Sequence, residues 1–333
     1  MKSRFPFTSF PNGWFCIAYS HELLPGDVKP IHYFGQDLVL FRTESGTPYV
    51  LNAHCPHLGA HLGYGGCVQG ETIQCPFHGW RFNEDGKCIE VPYANKIPAK
   101  AQARTWCIRE LNGVILVYYH AQGKPPTWEP PQIPELNSQE WTKFKEVDRW
   151  RINSHLQDLH EQVVDIAHFP TVHSDHSAKS QGSDVDGPVW KQRLYSGQAF
   201  KAATLDFKIE TQYEIALYGL GYSLQRYCIN GIGKLQFILL FLTTPVNEKC
   251  VEIQLLISVK KLFNKAIASV ITSLVLKMLK QEMEKDITIL ENKLYRKVPL
   301  LCDGDGEIIR YRHWASQFYS ENLELLPSLQ KIT

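Results

Sequence analysis

Residues 55–80 read CPHLGAHLGYGGCVQGETIQCPFHGW and hold two short Cys/His pairs, Cys55-Pro-His57 and Cys75-Pro-Phe-His78, with seventeen residues between them. Each pair offers one thiolate and one imidazole. Prolines beside the cysteines and glycines at 59, 63, 65, 66 and 79 let both segments turn tightly around an ion. Two soft sulfurs with two nitrogens suit either tetrahedral zinc or an iron–sulfur cluster. The order favours the cluster. A structural zinc finger usually pairs cysteine with cysteine and histidine with histidine. Here each loop carries one of each, so two sulfurs can hold one iron and two imidazoles the other. His54 and His61 have no cysteine at the matching offset and read as surface or supporting residues. Cys67 and Cys88 lie nearby as spare thiols, and the cysteines outside the pairs read as small buried apolar side chains.

Histidine replacing cysteine on one iron is the Rieske [2Fe–2S] arrangement. The flanking sequence supplies the strands such a site needs. Asp37 to Ala53 (DLVLFRTESGTPYVLNA) reads as a hairpin around Ser45-Gly46, and Gly113 to His120 (GVILVYYH) as a further strand, so the first part of the chain is expected to be all-β. Residues 123–141, GKPPTWEPPQIPELNSQEW, carry five prolines and little periodicity; they read as a linker or a long ordered connection. This divides the chain into 1–122, 123–141 and 142–333.

Beyond the connection the character changes. Residues 152–169 have helical spacing that is expected to stop near Pro170, because the residue before a proline is pushed out of the helical region. In FKIETQYEIALY the residues Phe207, Ile209, Thr211, Tyr213, Ile215 and Leu217 alternate with polar ones. Val251, Ile253, Leu255, Ile257 and Val259 do the same in VEIQLLISV. A period of two predicts antiparallel strands with one face buried. Residues 264–294 read as a long amphipathic helix with apolar positions at Ile271, Leu274, Val275, Met278, Leu279, Met283 and Leu290. The expected fold class is α+β: an all-β cluster domain, then an antiparallel sheet with helices packed on one side.

The 333 residues allow about two domains at roughly 150 residues each. With 44% apolar and 21% charged residues the chain is an ordinary globular protein. Thirty-five Lys+Arg against 34 Asp+Glu leave a formal charge of +1, which gives no electrostatic case for nucleic acid or an anionic membrane. No apolar run reaches the roughly 18 residues of a membrane span; the greasiest, Phe237 to Leu242, is of strand length. The basic start MKSRFPFTSFPNGWF meets Pro6, Pro11 and Asn12-Gly13 before any apolar region, so no signal peptide is expected. Nine scattered cysteines, an odd number, suit a reducing compartment, with the cytoplasm as the expectation.

A second constellation lies in HLQDLHEQVVDIAHFPTVH, residues 155–173. Asp165 and His168, three apart, would share a helical face. His173 is about 140° from His168 on an ideal helix, and Pro170 between them can unwind that turn so that both rings face one point. One carboxylate from elsewhere would complete the facial triad of non-haem Fe(II) oxygenases, which leaves positions open for O₂. Asp286 in QEMEKDITIL is the choice, because it falls in the apolar stripe with Met283 and Leu290, where a lone carboxylate is costly without a cation. Glu282 and Glu284 are expected to face solvent. His155 and His160 share the five-residue spacing without a proline between them, and read as satisfied polar residues.

Together CPHLGAHLGYGG, QCPFHGWRFNEDGKCIEVPYA, EQVVDIAHFPTVH and LLCDGDGEIIRYRHWASQFY make the chain resemble the oxygenase component of a Rieske non-haem iron oxygenase over most of its length. Within that superfamily it is most similar to bacterial ketosteroid hydroxylases and the related cholesterol desaturases. The resemblance implies that Cys55, His57, Cys75 and His78 hold the cluster and that His168, His173 and Asp286 hold Fe(II). It further implies that Asp165 bridges to a cluster histidine of a neighbouring subunit, in a ring-shaped homotrimer whose catalytic half is a helix-grip sheet around an apolar pocket. One departure is Gln162, where the family usually has asparagine; no role is carried over to it. The family's sterol desaturases tend to have an N-terminal membrane anchor that is not seen here, which favours the hydroxylase-like branch.

The activity implied is hydroxylation of a hydrophobic polycyclic or steroid-like substrate with O₂, followed in preference by desaturation and then ring dioxygenation. No G-x-G-x-x-G follows a strand, so the electrons are expected from a separate ferredoxin or flavin reductase. Two rival readings are a Rieske electron carrier fused to a lipid-binding domain without iron, and a zinc-bearing scaffold.

Overall fold

The computed structural model describes residues 4–7, 9–202, 205–231, 234–261 and 265–320. The first half is β-rich: β1 (Gly13–Tyr19), β2 (Val28–Tyr33), β3 (Gln36–Arg42), β4 (Pro48–Asn52), β5 (Cys67–Gln69), β6 (Thr72–Gln74), β7 (Arg81–Phe82), β8 (Cys88–Glu90), β9 (Ile108–Leu111) and β10 (Val114–Tyr119). They form three antiparallel sheets, in the orders β1-β10-β9, β2-β3-β4 and β5-β6-β7-β8. The expected hairpin is the β3–β4 pair, with Gly46 at φ +98° in its turn, a conformation that suits glycine because it has no Cβ to clash. The two Cys/His segments are the connections between β4 and β5 and between β6 and β7.

The proline-rich stretch is an ordered connection. Ile133 is buried, Trp128, Leu136 and Trp141 pack beside it, and the Trp14 indole N–H donates to the Trp128 carbonyl at 2.8 Å.

The second half runs β11 (Lys145–Ile152), α1 (Leu156–Glu161), α2 (Phe169–Val172), β12 (Lys179–Asp186), β13 (Val189–Ala202), β14 (Leu205–Tyr218), β15 (Tyr222–Asn230), β16 (Lys234–Asn247), β17 (Cys250–Val259), α3 (Lys265–Asn292) and α4 (Ile308–Ser316). Its strands make one seven-stranded antiparallel sheet, β11-β17-β16-β15-β14-β13-β12. The α+β class is as read from the sequence. No helix among the described residues is long and apolar enough to cross a membrane.

Three local expectations are corrected. First, β17 is not buried on one face only. Val251, Ile253, Leu255 and Ile257 join the core beneath α3, yet Glu252, Gln254, Leu256 and Ser258 on the other face are buried too. The same holds in β16, where Ile238, Leu240 and Leu242 pack with Leu256 against Trp14, Cys16, Val114 and Leu116. The first half thus covers the outer face of the central strands, which accounts for the uninterrupted apolar run.

Second, the helical segment before Pro170 breaks early. α1 ends at Glu161, residues around Asp165 are turns, and Pro170 lies in the first turn of α2 rather than beyond a helix end. A proline at that position loses no intrahelical hydrogen bond, so here it starts a helix. Asp165 and His168 therefore do not share a helical face.

Third, the buried stripe of α3 is rotated. Val275 and Leu290 are buried and Leu276, Leu279, Met283 and Ile287 pack against the core, whereas Leu274 and Met278 are exposed. The side chains of Phe207 and Ile271 lie outside the described residues.

α4 braces α1. The Arg312 guanidinium forks onto Glu161 at 2.5 and 2.8 Å with both side chains buried, and the Tyr311 hydroxyl donates to the Gln157 carbonyl at 3.0 Å. A Cβ on Gly306, whose φ is +70°, would lie 2.6 Å from the Val164 carbonyl oxygen, so the loop before α4 presses directly on the turn that leads to Asp165. Arg312→Met leaves Glu161 buried without its cation, and loss of one partner of such a pair costs about 3–5 kcal/mol. Chemical denaturation of the variant is expected to show a loss of that size; a change within about 0.5 kcal/mol, ordinary for surface sites, would contradict the brace.

Candidate metal centres

The two Cys/His loops are built alike. The Cys55 N–H donates to the Ala60 carbonyl at 2.8 Å and Gly59 N–H returns to the Cys55 carbonyl at 3.0 Å. In the second loop Cys75 N–H donates to Trp80 at 2.8 Å and Gly79 N–H to Cys75 at 3.1 Å. Gly59 and Gly79 take φ of +78° and +72°, so both turns need glycine at the same step. This geometry buries both cysteines and brings the imidazoles of His57 and His78 to a ring separation of 4.8 Å. The Trp80 ring stacks on His57 at 4.5 Å.

Burial, with the neighbouring Cys75 sulfur adding to it, pushes the Cys55 thiol up to about 11. His78 Nδ1 is buried and has no hydrogen-bond partner. Two buried sulfurs side by side and an orphaned ring nitrogen are the signature of donors that expect a cation, and they fit a cluster of the kind read from the spacing. His54 and His61 face one another across a β-bridge, and His61 Nδ1 accepts from Gly63 N–H at 3.0 Å, so they serve the loop. Among the remaining cysteines only Cys16 and Cys88 are buried; Cys67, Cys107 and Cys302 are exposed and Cys228 and Cys250 half-buried, against the expectation of burial throughout.

The second constellation comes together from distant sequence. α2 is a single turn with His168 just before it and His173 just after it, so one turn of helix places both rings on one side, 5.1 Å apart. α3 lies beside them and contributes Asp286. Donor atoms of His168, His173 and Asp286 all lie within 4.8 Å of one another. The His168 Nδ1–H donates to the Asp165 carbonyl at 2.5 Å, which leaves Nε2 free, the usual arrangement for a metal-ligating histidine. Asp286 Oδ1 sits 3.3 Å from His173 Nε2 yet is buried with no properly aligned donor. A buried, unsatisfied carboxylate oxygen between two imidazoles fits a divalent cation.

The charges around the site agree. Burial pulls His168 below its ordinary value against the opposing pull of Asp165 and Asp286. Burial also acts on His173, but Asp286 and Glu282 outweigh it and its value rises. Glu282 is a residue the sequence reading missed: it accepts from His173 Nδ1 at 2.7 Å while its side chain stays about a third exposed. Its place one helical turn before Asp286 was the available signal. Phe169, Met283 and Ile287 beside the triad pack on the apolar core. Gln162 closes the end of α1, and the Asp165 side chain is about a third exposed.

A model of the Rieske [2Fe-2S] domain matches residues 13–103, and a model described as the 3-ketosteroid 9alpha-hydroxylase C-terminal domain matches residues 117–319. The chain belongs to the Rieske non-haem iron oxygenases. This oxygenase is 35% identical to a cholesterol 7-desaturase of Xenopus laevis, over 97% of its own chain and 74% of the relative, and 33% identical to that of Caenorhabditis elegans, over 94% and 78%. It is 29% identical to a probable 3-ketosteroid-9-alpha-monooxygenase oxygenase component of Rhodococcus rhodochrous, over 97% and 84%. Among solved structures, dicamba monooxygenase bound to dicamba shares the fold with a TM-score of 0.76 at 16% identity, covering 92% of this chain and 97% of that one. The oxygenase's cofactors are a [2Fe–2S] cluster and a catalytic iron.

His155 and His160 are the satisfied histidines expected. His155 Nδ1 accepts from Gln157 N–H at 3.2 Å and its ring stacks on Phe7, and His160 Nε2 bonds Thr243 Oγ1 at 3.0 Å. Burial drives them down to about 3 and about 4. An unfolded chain protonates both below roughly pH 6.5 while the folded one does not, so their neutral burial stabilises at neutral pH and is lost as pH falls. From pH 7 to 5 the pair is expected to cost about 3–4 kcal/mol of stability. Asp158 and Glu161, raised by burial, pull the other way. Denaturation across that range, compared with a His155→Gln/His160→Gln variant, isolates the histidine contribution; parallel curves would contradict it.

Proposed function

We propose that this oxygenase uses O₂ and electrons from a separate ferredoxin or flavin reductase to hydroxylate a steroid-like substrate. Cys55 and Cys75 are assigned to one cluster iron and His57 and His78 to the other, while His168, His173 and Asp286 hold the mononuclear Fe(II). When bound, these groups supply single electrons and activation of O₂. We assign residues 1–122 to the cluster domain, 123–141 to the connection and 142–333 to the catalytic domain. Nine cysteines, none of them in a disulfide, suit a cytoplasmic setting.

The observation that carries the reading is the His168–His173–Asp286 triad with its unsatisfied buried oxygen, beside an apolar sheet face, in a chain with a ready cluster site. The work of this chain's own residues follows. The Asp165 carbonyl orients His168 through Nδ1, and its partly exposed carboxylate is assigned to reach a cluster histidine of a neighbouring subunit in a homotrimer. Phe169, Met283 and the apolar face of the sheet exclude water where a hydrophobic ring system would lie.

Desaturation is the second reading, favoured by the higher identity to the cholesterol 7-desaturases of Xenopus laevis and Caenorhabditis elegans, 35% and 33%, than to the ketosteroid monooxygenase, 29%. The test is coupled O₂ uptake with a surrogate reductase across sterols, ketosteroids and polycyclic aromatics, with product analysis. A steroid alcohol supports hydroxylation and a new steroid double bond supports desaturation. Coupling to polycyclic aromatics alone, or to none of the panel, rejects the steroid reading.

A further inference from the structure

The two imidazoles of the triad are oriented by different kinds of acceptor. His168 Nδ1–H meets a neutral backbone carbonyl, that of Asp165, at 2.5 Å, whereas His173 Nδ1 meets a side-chain carboxylate, Glu282 Oε2, at 2.7 Å. The far edge of the His173 ring, Nε2, faces Asp286 Oδ1 at 3.3 Å. An ionised carboxylate is an acceptor only, so Glu282 requires the proton on Nδ1 and leaves the Nε2 lone pair directed at the centre of the triad. α3 makes this possible by spacing: Glu282 and Asp286, one turn apart, present two carboxylates to opposite edges of one ring. Lys285 holds Glu282 from behind, its ammonium at 2.8 and 2.9 Å from the two carboxylate oxygens.

We propose that Glu282 is a positioning residue for the catalytic iron: it sets the tautomer and plane of His173 and strengthens that imidazole as a donor. The proposal rests on the reading that His168, His173 and Asp286 hold the metal. A charged acceptor in direct hydrogen bond raises the donor strength of the opposite nitrogen more than a neutral carbonyl does, and the one carboxylate near His168 Nδ1, that of Asp165, stands off at 3.8 Å, so His173 becomes the stronger of the two imidazole donors.

The experiment uses the full chain with its cluster intact and its mononuclear site emptied, titrated with Co(II) against a competing chelator. Glu282→Leu is expected to weaken binding by about 10–100-fold, and Glu282→Gln, which keeps an acceptor without the charge, by less than about tenfold. A second readout is the exchangeable His173 Nδ1–H resonance of the Co(II)-loaded protein. It is expected to be slowly exchanging in the parent and in Glu282→Gln and lost to solvent exchange in Glu282→Leu. A folded Glu282→Leu that binds Co(II) as tightly as the parent overturns the proposal. So does a parent whose His173 ring N–H exchanges freely, and that measurement decides the matter even if the leucine variant fails to fold. Asp286→Ala separates the two levels: undiminished Co(II) affinity there rejects the metal site itself. Loss there with no effect at residue 282 rejects only the role of Glu282.

Discussion

Asp286→Ala is expected to leave the reduced cluster's EPR signal intact while mononuclear iron and substrate-coupled O₂ consumption both vanish. Asp286 is the one carboxylate of the triad, and its Oδ1 is already buried without an aligned donor. Removing it takes away the charge that would offset a divalent cation and one of the three donors we assign to the iron. Loss of an outer partner of a ligand typically costs 10–100-fold in affinity, so loss of the ligand should exceed about 100-fold. Elemental analysis is expected to fall from three irons to two per protomer with sulfide unchanged. Unchanged iron and unchanged oxygen uptake would instead remove Asp286 from the metal site. A colourless, EPR-silent parent protein would support zinc.

Asp165→Asn is expected to load both metal sites and yet turn over slowly. The hydrogen bond that orients His168 is to the backbone carbonyl of Asp165, and the substitution keeps that carbonyl. What changes is the carboxylate, about a third exposed and loosely aimed at His168 Nδ1 at 3.8 Å, the group we assign to the contact between subunits. Reoxidation of the reduced cluster, followed by stopped flow with substrate and O₂ present, should slow by more than tenfold, about 1.4 kcal/mol or more in the barrier. Reoxidation at the parental rate would remove Asp165 from the electron path.

The paired Cys/His turns were legible in the sequence because their geometry is local. Each loop places its cysteine, proline, histidine and glycine within a few residues, and the same two backbone hydrogen bonds close both turns. The strands 37–53, 113–120 and 207–218 were legible for a similar reason, since period-two alternation and turn residues are properties of short windows. The burial of β17 on both faces was not, because the covering residues Trp14, Cys16 and Leu116 come from the opposite end of the chain. The helix around Pro170 was misplaced because a proline suits both the residue beyond a helix and its first turn. Windows of sequence do not tell these apart; the brace of α4 on α1, through Arg312 and Glu161, helps fix where α1 stands.

Residue order alone settled which donors this chain can offer a metal, since thiolate, imidazole and carboxylate are covalent facts and their short spacings limit how they can share an ion. Folding decided how they are aimed. Asp286 and Glu282 reach His173 because α3 lies beside it, held there by the rotated apolar stripe packed on the core of a sheet whose other side the first half has already covered. Burial of apolar surface is non-directional and long-range in sequence, so its outcome can be read only once every face has found its partner.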